Sequence, residues 1–390
     1  MAHSPNPRPI YPKPPRTSDS PPAHPADGLA SPNNGTTSKE IVPARRSLAF
    51  AMTPRSFPGN PKAQQTLAEL LALAVSRKTA NELGWLAPLE RAAQDPSQCR
   101  LVRVGGGDIN EVYRVDLPHG PSLLLKWHAD PPYGFFEAEA EGLSALAATR
   151  TLRIPRVLAW SHHGLLMEWL ERRPDRERHW QTSAAHTAQT ASANHPAAST
   201  SSDPGEALGR GLAALHRTTA QAFGFARDNF VGLLPQRNAW QESWVSFFRE
   251  QRLKPQLLLA SEKGFLTRER RALAERLLDQ LPRWIDDRAV LPALVHGDLW
   301  HGNWLDTADG AALIDPAAYY GDREMDLAMA SLFGGFPESF WRTYEEAYPL
   351  LPGFEERRPL YQLYYLLIHL NLFGEAYGPA VDRILRHYGR

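Results

Sequence analysis

One cysteine, Cys99, stands in 390 residues. A single thiol excludes an internal disulfide framework and a four-thiolate zinc site, and it fits a reducing compartment. Cys99 itself reads as a packing residue. Net charge is lacking as well. Forty-three basic residues balance 43 acidic ones, so no overall field recruits nucleic acid or an anionic membrane, and a charged ligand has to be met at one local site. No apolar run approaches the length that spans a bilayer. The opening MAHSPNPRPIYPKPPR lacks the charged-then-apolar order of a secretory signal. These absences predict a soluble cytoplasmic protein with no nucleic-acid or membrane partner.

From Met1 to about Lys62 periodic apolar positions are scarce among Pro, Ser, Asn and Ala. Such a segment cannot bury enough surface to offset its ordering entropy, so residues 1–62 are expected to form a disordered Pro-rich tail. Helical spacing begins at QTLAELLALAV, where Leu67, Leu70, Leu71 and Val75 share a face. RLVRV, NEVYRVDL and SLLLKW then read as antiparallel strands, FFEAEAEGLSALAA as a helix, and IPRVLAW and GLLMEWL as two more strands.

The expected class is α+β. Residues 63–170 form an N-terminal lobe built on a five-stranded antiparallel sheet plus a helix, and residues 171–390 a mainly helical C-terminal lobe. Within the second lobe, Ser-, Thr- and Ala-rich text at about 182–202 predicts a flexible insertion. Only LVHGDLWHGNW and AALIDPAAYYGD interrupt its helical patterning.

Four separated segments carry chemistry. GGGDIN, comprising Gly105, Gly106, Gly107, Asp108, Ile109 and Asn110, lies between two strands. Its glycines let main-chain N–H groups approach an anion. The stretch matches neither the P-loop nor the dinucleotide fingerprint, so alone it reads rather as a glycine-rich hairpin. Lys126 ends the apolar run SLLLKW, where a buried ammonium needs a partner. Glu137, Glu139 and Glu141 on the following helix each offer one, as in the strand-lysine and helix-glutamate pair of kinases.

Asp298 and Asn303 follow the order D-x-x-x-x-N, the spacing that places a catalytic base and a magnesium ligand in a kinase loop. Asp315 in LIDP stands where a second metal-binding carboxylate belongs. A zinc site on His296, Asp298 and His301 competes, but the i, i+4 histidine pair of a metalloprotease helix is absent, and His296 reads better as a loop-holding residue. GLLMEWL falls where a strand joining two lobes belongs, with the backbone at Glu168, Trp169 and Leu170 able to pair with adenine.

At these residues the chain resembles the fructosamine kinase, or ketosamine kinase, family, within the wider protein-kinase-like group that includes aminoglycoside and choline kinases. The resemblance extends from about Gln64 to the C-terminus, apart from Thr182 to Ser202. It rests on GGGDINEVYRV, FEAEAEGL, FGFARDNFVGLLPQRN, HGDLWHGNW, LIDPAAYYGDREMDLAMASLFGGF and YEEAYPLLPGFEERRPLYQLYYLLIHLNLFG. H-G-D in place of H-R-D, and I-D-P in place of D-F-G, point away from protein substrates and activation-loop control.

The resemblance implies a bilobal kinase fold and ATP-dependent, magnesium-assisted phosphorylation of the 3-hydroxyl of a fructosamine or ribulosamine, free or lysine-linked, in deglycation repair by a monomer or weak dimer. By the same resemblance Asp298 is the proton acceptor, Asn303 and Asp315 hold magnesium, Lys126 pairs with Glu139 while Glu137 remains an alternative, and Glu168 to Leu170 form the adenine hinge. Some members carry a glycine-loop cysteine for redox-controlled dimerisation. Here Asp108 stands in that loop and Cys99 precedes it.

Substrate contacts are expected among Trp300, His301, Tyr319, Tyr320, Asp322 and Arg323, with Asn229, Trp240 and Trp244 opposite, although core packing suits each equally. Asp326 reads as an N-cap or loop-bracing residue. Two other functions fit the same motifs: a kinase of another amine, of aminoglycoside or choline type, and an inactive nucleotide-binding interaction module.

Overall fold

The computed structural model describes residues 60–106, 109–173 and 203–390. The expected tail up to residue 59, Gly107, Asp108 and the expected insertion lie outside the described residues. Asn60 Oδ1 accepts the main-chain N–H of Lys62 at 3.1 Å, and Pro61 opens helix α1 (Pro61–Val75) at a position where its missing N–H costs nothing. Two short helices follow, α2 (Lys78–Glu82) and α3 (Leu86–Gln94).

The sheet contains β1 (Arg100–Gly106), β2 (Glu111–Asp116), β3 (Ser122–Trp127), β4 (Val157–Trp160) and β5 (Gly164–Glu168), with helix α4 (Phe135–Ala148) inserted after β3. Its order is β1-β2-β3-β5-β4 and every pairing is antiparallel. Alternation on β3 decides where the chemistry goes. Leu123, Leu125 and Trp127 join a core with α1 and α3, while Leu124 and Lys126 face the other side, where α4 packs.

The C-terminal lobe contains α5 (Pro204–Leu215), α6 (Trp244–Phe247), α7 (Lys254–Glu262), α8 (Arg268–Trp284), α9 (Glu324–Leu332), α10 (Glu338–Ala347), α11 (Phe354–Phe373) and α12 (Gly378–Tyr388). A π-helical segment, Phe248–Leu253, joins α6 to α7. Helix α11 is buried almost all round from Leu360 to Asn371 and forms the lobe's axis. Each fully buried Leu there contributes about 1.5–3 kcal/mol. Tyr361, Tyr364, Tyr365 and His369 are part of that core.

Two antiparallel strand pairs carry the polar loops: β8 (Ala293–Val295) pairs with β11 (Tyr319–Gly321), and between them in the chain β9 (Trp304–Thr307) forms a hairpin with β10 (Gly310–Leu313). The lobe has a further interruption that the helical patterning hides. Strands β6 (Asn229–Val231) and β7 (Leu234–Gln236) form a hairpin within FGFARDNFVGLLPQRN. Three-residue strands are too short to show alternation. Among the described residues no helix is long and apolar enough to cross a membrane.

Candidate active site

Pairing of β9 with β10 sets Leu313 opposite Trp304. The residues just beyond, Asn303 and Ile314, therefore meet, and Ile314 N–H donates to Asn303 O at 3.0 Å. Asp315 is thereby brought beside the D-x-x-x-x-N stretch. Asn303 Nδ2 donates to Asp298 O at 2.8 Å and approaches Asp298 Oδ2 at 3.2 Å and Asp315 O at 3.5 Å. With the amide nitrogen held by Asp298, covalent geometry turns the amide oxygen away from it.

Lys126 completes the cluster from the sheet. Its Nζ lies 2.5 Å from Glu139 Oε1 and 2.6 Å from Asp315 Oδ1. Lys126 is buried and Glu139 largely so, whereas the Asp315 side chain is 43 % exposed. Burial alone pushes the Lys126 ammonium down, but Asp315 and Glu139 outweigh it and the net shift is upward, so the lysine stays charged. Burial also raises the Glu139 carboxyl, against the pull of Lys126. Asp315 adopts φ +59°, a left-handed conformation rare outside glycine. Such strain persists where surrounding contacts over-determine a functional position.

The catalytic-loop candidate is held from behind. Asp326, fully buried, accepts His296 N–H at 2.7 Å and Gly297 N–H at 2.8 Å through its two oxygens. His216 Nε2 lies 3.1 Å from the same carboxylate, and His216 Nδ1 lies 2.8 Å from Tyr344 Oη. Asp326 is therefore a loop brace; Arg323 occupies the N-cap of α9. In sequence the partner role of His216 is not legible, because a lone histidine at the C-terminal cap of α5 says only that something polar must meet it. His296 is buried with Nδ1 facing Asp298 N–H at 3.3 Å and Nε2 facing Ile314 O at 2.9 Å. Burial pushes its pKa down, with Asp326 opposing.

Of the three candidate carboxylates on α4, Glu139 takes Lys126, while Glu137 and Glu141 pair with Arg227 at 2.8 Å each. Glu168 is buried, ion-paired to Arg153, and accepts Arg156 N–H at 3.2 Å; its own N–H donates to Arg156 O at 2.9 Å. Trp169 and Leu170 follow it, half-buried, with Trp169 Nε1 donating to Glu171 at 2.6 Å. Gly105 and Gly106 end β1, which pairs antiparallel with β2, and Ile109 and Asn110 lead into β2. Asn110 Oδ1 is buried without a partner among the described residues.

Several expected substrate contacts are enclosed instead. Trp244 and Tyr319 are fully buried, Asp322 accepts Tyr361 Oη–H at 2.6 Å, and Arg323 donates to Tyr348 O at 2.8 Å. Asn229 donates to Ala318 O at 2.8 Å. Trp300, His301 and Tyr320 are half-buried, and Trp240 is exposed. Cys99 is a buried free thiol, as a packing residue would be.

Comparison with known proteins decides the family. The fructosamine kinase family profile matches residues 87–200 and 194–389. The chain belongs to the fructosamine kinase family. It is 37 % identical over 296 residues to a probable ketoamine kinase of Enterococcus faecium, covering 74 % of this chain and 95 % of the relative. Ketosamine-3-kinase of Mus musculus is 32 % identical over 291 residues, covering 73 % and 94 %. A crystal structure of a candidate fructosamine-3-kinase from Thermobifida fusca superposes with TM-score 0.63 at 34 % identity, covering 76 % of this chain and 96 % of that one. Membership makes this fructosamine kinase family chain a phosphotransferase with a kinase-like α+β fold.

Proposed function

We propose that the protein transfers the γ-phosphoryl group of ATP to the 3-hydroxyl of a ketosamine, free or lysine-linked, as a cytoplasmic deglycation step. The observation that supports this most is the position of Lys126 Nζ between Glu139 and Asp315, with Asp315 joined through Asn303 to Asp298. In this reading Lys126 meets the α- and β-phosphates. The glycine loop, Gly105 to Asn110, covers the nucleotide with main-chain N–H groups, and the backbone from Glu168 to Leu170 borders adenine.

The donor set suits magnesium that arrives with a nucleotide. Among the described residues no group of three or more His, Cys, Asp or Glu could hold a metal by itself. Asn303, through its amide oxygen, and Asp315, through its carboxylate, are the residues that would hold it. A magnesium ion there supplies neutralisation of the phosphate charge.

Asp298 then orients the sugar hydroxyl in line with the γ-phosphorus. The bond from phosphorus to the leaving oxygen of ADP breaks as the bond to sugar O3 forms, and the hydroxyl proton passes to the Asp298 carboxylate. Lys126 stays protonated throughout and acts by charge alone. Trp240, Tyr320, Trp300 and His301 retain surface from which an aromatic face could meet the amine of the substrate.

The test is ADP release on ribulose-lysine and fructose-lysine against an aminoglycoside and choline, with the phosphate position read by NMR. Phosphate on O3 of a ketosamine is expected. Turnover confined to another amine, or nucleotide binding without turnover of any, would replace this reading.

A further inference from the structure

Helix α4 carries Glu137, Glu139 and Glu141 at two-residue spacing. On an α-helix residues 137 and 141 share one face and residue 139 lies on the opposite one. The structure uses both faces. Glu139 turns inward to Lys126, while Glu137 and Glu141 turn outward to the two arms of one guanidinium, Arg227. Arg227 lies just before β6, in the C-terminal lobe.

The base from which Arg227 reaches is rigid. Asn238 Nδ2 donates to Arg227 O at 3.1 Å, and the Asn238 amide oxygen accepts from the fully buried Arg252 at 2.8 Å. The same β6-β7 hairpin touches other elements that carry the candidate site. Phe230 meets Phe135 of α4 edge-on at 5.3 Å. Asn229 and Gln236 hold the carbonyls of Ala318 and Ala317, three and two residues after Asp315, at 2.8 and 3.0 Å. At the turn, Gly232 (φ +60°) leaves room only for Ile109 of the glycine loop and Leu372, each within 3.3 Å of where its Cβ would stand.

We propose that the β6-β7 hairpin is the device that keeps α4 in its lysine-pairing position, with Arg227 as the positioning residue that clamps Glu137 and Glu141 so that Glu139 stays on Lys126. The inference rests on the proposed ATP-dependent reaction. It assigns to a fixed hairpin the task of holding the glutamate-bearing helix, with no activation-loop event needed. Without Arg227, two like charges one turn apart repel and α4 loses its tie to the second lobe. Arg227, Glu137 and Glu141 are all partly exposed, so the clamp can be removed without opening the core.

The test compares wild type, Arg227→Glu, and Arg227→Glu combined with Glu137→Arg, which restores opposite charges. The single variant is expected to raise KM for ATP roughly fivefold, the fold-change of a networked surface pair worth about 1 kcal/mol, with Tm little changed. It should also speed amide hydrogen exchange across residues 135–148, and the double variant should recover both. Unchanged exchange and unchanged KM in Arg227→Glu would overturn the clamp, as would losses that the charge swap does not recover. If the wild type turns over no ketosamine, the proposed function fails, while the exchange experiment still decides whether Arg227 holds α4.

Discussion

Lys126 Nζ and Asp315 Oδ1 lie 2.6 Å apart although 189 residues separate them in the chain. This contact ties the five-stranded sheet to the loop that follows β10, and Glu139 holds the lysine from the third direction. Charge balance in the triad is then one cation against two carboxylates, which leaves Asp315 able to take a further cation.

Asp298→Asn keeps the loop's shape and removes the proton acceptor. Turnover should drop by about 10²–10⁴-fold with ATP affinity little changed. Single-turnover phosphate transfer alongside a nucleotide titration checks this, and near-normal transfer would remove Asp298 from the base role.

Lys126→Ala leaves Glu139 buried without its cation. The expected cost is about 3 kcal/mol or more in unfolding free energy, because an uncompensated buried charge costs more than the intact pair contributes. Lys126→Met combined with Glu139→Leu should regain most of that stability and none of the activity. Denaturant unfolding of the three proteins, together with ADP release, separates stability from catalysis.

His296 gives the loop an acid limit. Its pKa in the fold lies below the ordinary 6.5 because burial disfavours the imidazolium. The unfolded chain therefore binds more protons there below pH 6.5. The contribution of His296 to stability is complete above pH 6.5 and is lost progressively as pH falls below it. Unfolding free energies from pH 8 to 5 should decline less steeply in His296→Gln than in the wild type. Parallel slopes would contradict the assignment.

Gly297→Ala is expected to fail locally. The residue sits at φ +83°, and an added Cβ would stand 2.1 Å from Ala317 O. Left-handed backbone alone costs about 1–2 kcal/mol, and the contact forces the β8-β11 loops apart. A lower Tm and a larger loss of turnover than of ATP affinity should follow. An unchanged Tm would mean that this backbone relaxes freely.

Much was fixed by local pattern. The alternation of SLLLKW, the three-glutamate spacing of α4 and the order of Lys126, Asp298, Asn303 and Asp315 are properties of short segments, and strands and helices follow short-range periodicity. Proximity between segments is different in kind. Which of Glu137, Glu139 and Glu141 meets Lys126 depends on how α4 is rotated against the sheet. The pairing of Asp326 with His216, 110 positions away, and of Arg227 with Glu137 and Glu141 depends on the packing of elements distant in sequence. The short β6-β7 strands had no periodic signature, and what stabilises them is contact with α4, the glycine loop and Ala317–Ala318. The sequence by itself determined the inventory of chemical groups and the local shapes that carry them. Tertiary structure alone decided which groups are buried together, because burial and charge pairing are set by the whole packed chain and by no segment of it.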